Sequence, residues 1–261
     1  LIFPRVDDAE RRLVVPVLRS ADAPPTPELP EGALIVLDLA TLSPQATLVT
    51  APLAPHFAHA FPWQAVDLDE AQVFAGFSDG RALLIPLAGG PRVELSPGTP
   101  ILAADVPISA SIGWGALDHG RLVFSTGETN IPWGADTSAT SPPSAHPGQN
   151  TVWVHDRGGA LRFSYPADGS VQGLSFSPDG RLLVVGAGRR SGDARRDLFG
   201  ALLFDLSDEP AGDRLLARCP TDGPVFFEHA VTDDGRIAVA EAPSLSADGA
   251  VLGSYRLTVL R

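Results

Sequence analysis

The chain has 261 residues, of which 31 are acidic and 19 basic, giving a formal net charge of −12. Such an acidic balance argues against nucleic acid or an anionic membrane surface as the partner. No run approaches the roughly 18 apolar residues of a membrane-spanning helix, so we expect no membrane insertion, and the single Cys219 excludes an internal disulfide bond.

Five stretches share one pattern, an acidic turn followed by a polar or basic residue and an apolar strand. They begin at Asp7, Asp67, Leu117, Ser177 and Thr232, at intervals of 50 to 60 residues. A second apolar strand follows each of them, starting at Ala33, Arg81, Thr151, Gly200 and Ser254, and a shorter strand follows the first four of these. Short strands repeated about every 50 residues, with no helical periodicity, predict an all-β fold of the β-propeller class.

The clearest repeat is Val171 to Gly186, which reads VQGLSFSPDGRLLVVG. It predicts two strands joined by a tight turn, because Pro178 presets φ and Gly180 can adopt a positive φ. At this stretch the chain resembles the bacterial WD40-like and YVTN/lactonase-like propeller superfamily, whose blades often carry such a turn. The resemblance implies a propeller fold and no specific function. The Gly-His and Trp-Asp signatures of WD40 blades are missing from the sequence.

The repeats predict a single domain over residues 1–261, with blades at about 1–50, 51–100, 101–167, 168–222 and 223–261. Each of the first four blades has four predicted strands, whereas the fifth ends at Arg261 after its third strand. The favoured interpretation is a five-bladed ring whose last blade has three strands. The alternative is part of a six- or seven-bladed propeller completed by residues outside this sequence.

Loops between the second and third strands of each repeat differ greatly in length, and ligands of propellers usually bind on the face that carries them. The longest loop, from Gly127 to Gln149, contains the candidate docking residues Trp133, Asp136 and His146. The loop of the fourth repeat is the one basic island of the sequence and contains Arg189, Arg190, Arg195 and Arg196. We expect the loop from Gly127 to Gln149 to act as a docking arm and the loop of the fourth repeat to act as an anion-binding site.

Candidate residues of the central channel are His59, Trp63, Asp105, Trp114, Glu228 and His229. A metal site at the last two is disfavoured, because adjacent residues of a strand point to opposite faces. The sequence contains no nucleophile elbow, zinc-protease motif, P-loop or dinucleotide fingerprint. We therefore predict no catalytic residues, no metal and no cofactor.

The leading hypothesis is a non-catalytic recognition or scaffold module that binds a partner protein through its loop-rich face. Binding of a small polar ligand is a further possibility. One alternative is a hydrolase or lyase acting on a sugar or lactone, with Asp105, Glu228, His229 and His59 around the channel. A second is a structural subunit whose last blade accepts a strand from a neighbour beside Ser254–Leu260.

The composition also leads to an expectation about location. The absence of Lys and Met suggests a processed chain, or a segment of a longer one, from a GC-rich bacterium. We expect a periplasmic, cell-surface or secreted protein, and a cytoplasmic location stays open.

Overall fold

A computed structural model describes residues 4–7, 9–18, 32–49, 65–103, 106–127, 146–167, 169–188, 199–207, 214–245 and 248–260. Within these residues every regular element is a β-strand, so the all-β prediction is confirmed.

Three four-stranded sheets come first, and in each of them the strands follow one another in chain order. Sheet 1 consists of β1 (Arg5–Val6), β2 (Arg12–Leu18), β3 (Gly32–Asp38) and β4 (Pro44–Val49). Sheet 2 consists of β5 (Val66–Leu68), β6 (Gln72–Gly76), β7 (Ala82–Pro86) and β8 (Val93–Leu95). After a hairpin of β9 (Ile101–Ala103) and β10 (Val106–Ile108), sheet 3 consists of β11 (Ile112–Asp118), β12 (Arg121–Thr126), β13 (Thr151–Asp156) and β14 (Leu161–Pro166).

Two further large sheets and one small hairpin follow in the described residues. Sheet 4 consists of β15 (Val171–Phe176), β16 (Leu182–Ala187), β17 (Gly200–Asp205) and β18 (Leu215–Pro220). Sheet 5 has the order β19 (Val225–Val231), β20 (Ile237–Glu241) and β23 (Arg256–Leu260). A small hairpin of β21 (Ser244–Leu245) and β22 (Val251–Leu252) lies between β20 and β23 in the sequence.

The Ser-Pro-Asp-Gly-Arg turn forms as its residues predict, with Gly180 at φ 71°. Ser177 Oγ donates to Asp179 Oδ1 (2.7 Å) and accepts the Leu182 N–H (3.0 Å). The Arg181 Nε donates to Asp179 Oδ2 (2.6 Å). Hydrogen bonds from Ser177 and Arg181 hold the pKa of Asp179 well below its ordinary value. The motif is therefore a structural turn, and its Asp179 N–H also donates to Asp233 Oδ1 in the turn between β19 and β20 (2.9 Å).

The chain divides into two compact units, residues 1–149 with 153–164, and residues 150–152 with 165–261. In the first unit Val14, Leu34 and Val36 of sheet 1 pack with Val66 and Val73 of sheet 2. The opposite face of sheet 2 packs on sheet 3, where the rings of Phe74 and Phe124 stack with centroids 5.7 Å apart.

The core of the second unit lies between sheets 4 and 5. Val184 and Leu203 pack there against Val225, Ile237 and Val239. In both units, therefore, the core is built from the apolar faces of successive sheets.

Candidate functional site

Most of the residues singled out from the sequence lie outside the described part of the chain. These are His59, Trp63, Asp105, Trp133, Asp136, Arg189, Arg190, Arg195 and Arg196, together with the side chain of Glu228. Their proposed roles at the loop face and the channel stay predictions, as does the hydrolase or lyase hypothesis that rests on several of them.

Three of the candidate side chains are described, those of His146, Trp114 and His229. The His146 ring is 1% exposed, and its Nδ1 accepts the Gly148 N–H at 3.0 Å. Thr126 Oγ1 donates to the Gly148 carbonyl, so the end of the long loop is fastened to β12. Trp114 lies half-buried on β11. His146 thus anchors the end of the loop from Gly127 to Gln149.

His229, the third, lies on β19 between sheets 4 and 5. Its Nδ1 is 2.8 Å from Ser175 Oγ on β15. Its ring lies against Gly186 of β16, where an added Cβ would come within 2.9 Å of His229 Cδ2. The described residues contain no group of three or more His, Cys, Asp or Glu side chains that could hold a metal ion.

The surface that stands out among the described residues is the outer part of sheet 5. In sheets 1 to 4 the third strand pairs with a second strand on one side and a fourth on the other. In sheet 5 the third strand, β23, pairs with β20 alone within the described part of the chain. Among the described residues, therefore, no strand pairs with the other edge of β23, and an edge without a strand partner is a template for adding a strand.

The face of sheet 5 that points away from sheet 4 is apolar and open. Leu257 and Val259 of β23 are 73% and 63% exposed, whereas Leu202 and Leu203 of β17 in sheet 4 are 6% and 8% exposed. Tyr255, just before β23, is 83% exposed, and Phe226 of β19 is 44% exposed.

Strand pairing extends this apolar face across the sheet. Leu257 stands beside Ala240, and Val259 stands beside Ala238, in the β20–β23 register. We call Tyr255, Leu257, Val259, Phe226 and the free edge of β23 the sheet-5 surface.

A buried carboxylate fastens β23 to the rest of sheet 5. The Glu241 side chain is inaccessible to solvent, and it accepts hydrogen bonds from Arg256 Nε (2.7 Å), Thr258 Oγ1 (2.5 Å) and the Gly223 N–H (3.1 Å). Burial alone raises the pKa of Glu241, but the hydrogen bonds from Arg256, Thr258 and Gly223 outweigh it, so its pKa is lowered. Arg256 also binds Asp222 Oδ2 at 2.9 Å. Glu241 and Asp222 thus fasten β23 in place, and an edge that is already ordered loses little entropy when another strand pairs with it.

Sequence reasoning placed the third strand of the last repeat at Ser254–Leu260, but it missed the apolar face of sheet 5 and the Glu241–Arg256 ion pair. Glu241 and Arg256 are 15 residues apart and meet because β20 and β23 pair in that register. The β21–β22 hairpin separates β20 from β23 in the sequence, so the pairing of these two strands is hard to predict from the sequence. The sequence signal that could have predicted this ion pair was Glu241 at the end of one apolar strand and Arg256 at the start of the last one.

Comparison with known proteins gives matches in structure alone. No protein-family model matches the chain, and no curated protein matches it in sequence. The complex of KlAtg21 with the coiled-coil of AgAtg16 contains a chain similar over 92% of this one, at 10% identity and a TM-score of 0.55. The C-terminal WD40 domain of Sif2 is similar over 89%, at 13% identity and a TM-score of 0.49.

The present chain spans 63% and 52% of those two chains, less than two thirds of either. In the described residues there is no helix long and apolar enough to cross a membrane. The order of the strands within the successive sheets and the similarity to the KlAtg21 structure both indicate the same fold. The chain has a WD40-like β-propeller fold.

Proposed function

We propose that the chain is a non-catalytic recognition or scaffold module that binds a partner protein. The sheet-5 surface carries this proposal, because within the described residues it combines a strand edge with which no other strand pairs and exposed apolar side chains. The KlAtg21 structure, which shares the fold, is itself a complex with a coiled-coil. Propeller scaffolds of this kind offer rigid edges and loops on which a partner docks.

The chemistry of β23 favours a partner at this edge. Exposed edge strands of soluble proteins are usually protected by charges, prolines or bulges. The sequence of β23 is RLTVL, and its one charge, on Arg256, is engaged by Glu241 and Asp222. An apolar, unprotected edge of this kind is stable in a cell when a partner covers it.

The partner that fits the edge is an extended segment pairing antiparallel with β23, as the fourth strands pair with the third in sheets 1, 2 and 4. Antiparallel pairing of a five-residue strand uses the outward N–H and C=O groups of alternate residues, about four to six hydrogen bonds. Apolar side chains at every second position of the segment would cover Leu257 and Val259.

The loop-rich face is proposed as a second contact area for the same partner. The end of the long loop is anchored at His146 and Gly148, and the residues chosen for deletion precede this anchor in the sequence. Deleting residues 130–144, and keeping that anchor, is expected to leave the fold intact and weaken partner capture. Unchanged capture would restrict the contact to the sheet-5 surface.

Site-specific photo-cross-linking in the source organism tests the proposal. Benzoylphenylalanine replaces Leu257 in one variant and Leu161 in the control, because Leu161 is 52% exposed but lies on β14, the fourth strand of a complete sheet. We expect position 257 to cross-link one extended segment of another protein, identified by mass spectrometry, and position 161 to give none. Equal labelling from both positions, or adducts to many unrelated proteins, would refute a specific partner at this surface.

A further inference from the structure

The outer face of sheet 5, which points away from sheet 4, has the same arrangement as faces that other sheets of this chain cover. In sheets 1, 2 and 4, two residues at alternate positions of the third strand are buried against the next sheet. These residues are Leu34 and Val36, Ala82 and Leu84, and Ala201 and Leu203. Leu257 and Val259 are the equivalent residues of β23, because they alternate along the third strand of sheet 5 and face away from sheet 4. They are exposed, whereas the other three pairs are buried.

The second strands of sheets 2 and 4 carry a glycine on the covered face, where the first strand of the next sheet comes close. A Cβ added at Gly76 of β6 would lie 2.3 Å from Ile112 Cγ2 of β11. A Cβ added at Gly186 of β16 would lie 3.0 Å from Val225 Cγ1 of β19. A small residue at this position therefore lets a strand of the next sheet pack closely.

Sheet 5 also has a small residue at this position. In the strand register, Gly76 and Gly186 each pair with the first of the two buried residues of the third strand. In sheet 5, the residue that pairs with Leu257 is Ala240. The outer face of sheet 5 thus combines a small residue on its second strand with two apolar residues on its third. Within this chain, a face of that composition is covered by a strand of another sheet.

Pairing at a strand edge does not by itself cover such a face, because side chains stand perpendicular to the sheet. Leu216 of β18 shows this, since β18 pairs with β17 and yet Leu216 is 54% exposed. Leu203 of β17 is buried because sheet 5 packs over it. A strand added beside β23 would therefore leave the outward sides of Leu257 and Val259 in water.

The order of strands in the chain shows how one segment can do both. In the second compact unit, β18 completes sheet 4, and β19 begins after residues 221–224 and packs over the face of that sheet. The same order holds for β4 and β5, which are separated by residues 50–65, and for β8 and β11, which are separated by residues 96–111. Two consecutive strands therefore complete one sheet and cover its outer face.

We infer that the partner segment at the sheet-5 surface consists of two consecutive strands. The first strand pairs with the edge of β23, and the second lies over Leu257, Val259 and Ala240. The second strand carries apolar side chains towards sheet 5, as β19 carries Val225 and Val231 towards sheet 4. The inference rests on the proposed function, because it specifies the form of the partner that binds this surface.

A double-mutant cycle tests the inference. The partner is the protein that cross-links to benzoylphenylalanine at position 257, and its segment is made complete and also without the strand that carries the cross-linked residue. Affinities for the wild-type chain and for the Leu257→Ser/Val259→Ser variant are measured by biolayer interferometry. We expect shortening to weaken binding to the wild type at least about tenfold and binding to the variant by less than about threefold, because both changes remove the same contact.

Two further variants serve as a second test and a control. Ala240→Arg places a charge on the open face of β20, and it should weaken binding of the complete segment at least about tenfold and of the shortened segment by less than about threefold. The Leu161→Ser/Leu216→Ser variant should respond to shortening as the wild type does, because these residues lie on fourth strands.

The outcomes separate this inference from the proposed function. Equal losses on shortening in the wild type and in the Leu257→Ser/Val259→Ser variant would overturn the inference and leave partner binding at β23 in place. Cross-linking of position 257 to a second copy of this chain, or to an isolated strand without a neighbouring one, would also overturn it. The absence of any cross-link from position 257 would refute the proposed function and this inference with it.

Discussion

Replacing Leu257 and Val259 with Ser separates the role of the sheet-5 surface in binding from any role in folding. Both side chains are largely in water in the free protein, 73% and 63% exposed. Exposed positions of this kind usually change the free energy of unfolding by less than about 0.5 kcal/mol each. We therefore expect the double variant to unfold close to the wild-type temperature.

The expected loss of partner affinity follows from the same exposures. Full burial of a Leu or Val side chain contributes about 1.5–3 kcal/mol, and scaling by the exposed fractions gives about 2–4 kcal/mol for the pair. A loss of that size raises the Kd about 30- to 1,000-fold. Affinity is measured by biolayer interferometry against the protein that cross-links to position 257.

Leu161→Ser with Leu216→Ser is the matched control. These side chains are 52% and 54% exposed on fourth strands of complete sheets, so the control should bind like the wild type. A Kd for the Leu257/Val259 variant within about threefold of wild type would refute the reasoning from exposed apolar area. A large drop in melting temperature would also refute it, since it would place these side chains in a fold-stabilising contact.

Further predictions concern the contacts that hold sheet 5. Glu241→Gln should lower the free energy of unfolding by about 1–2 kcal/mol, because it weakens the charge-assisted hydrogen bond from Arg256. The melting temperature of the variant, measured by thermal denaturation, tests this prediction. An unchanged melting temperature would contradict it. The pKa of Glu241 is lowered in the folded state, so its contribution is complete above the unfolded-state value of about 4.3 and is lost as the pH falls through the folded-state pKa. Acid melts should therefore show a smaller loss of stability in Glu241→Gln than in the wild type. Gly186→Ala should cost about 1–3 kcal/mol, since its Cβ would meet His229 Cδ2 at 2.9 Å, whereas at Gly113 the nearest atom is 3.8 Å away and Ala should be tolerated.

The sequence predicted the sheets well because their signals are local. The stretch TVWVHD is strand β13, from Thr151 to Asp156, and the Ser177–Arg181 turn joins β15 to β16. Each depends on alternation, apolar runs and turn residues within a few positions. The hairpins β9–β10 and β21–β22 were missed, since strands of two or three residues carry too little pattern.

The candidate site was harder to predict because it depends on what each sheet contacts. The sequence RLTVL of β23 alternates like that of a strand with one buried face. This pattern does not predict that the side chains of Leu257 and Val259 are exposed to solvent. Contacts between distant residues decide this feature.

Hydrogen exchange of the β23 amides with and without the partner tests the central claim most directly. If a partner segment pairs with the free edge, the outward amides among residues 256–260 exchange rapidly in the free protein and become protected in the complex. Unchanged exchange at residues 256–260, with new protection confined to residues 128–145, would show that the partner docks on the loop face and contradict strand addition at β23.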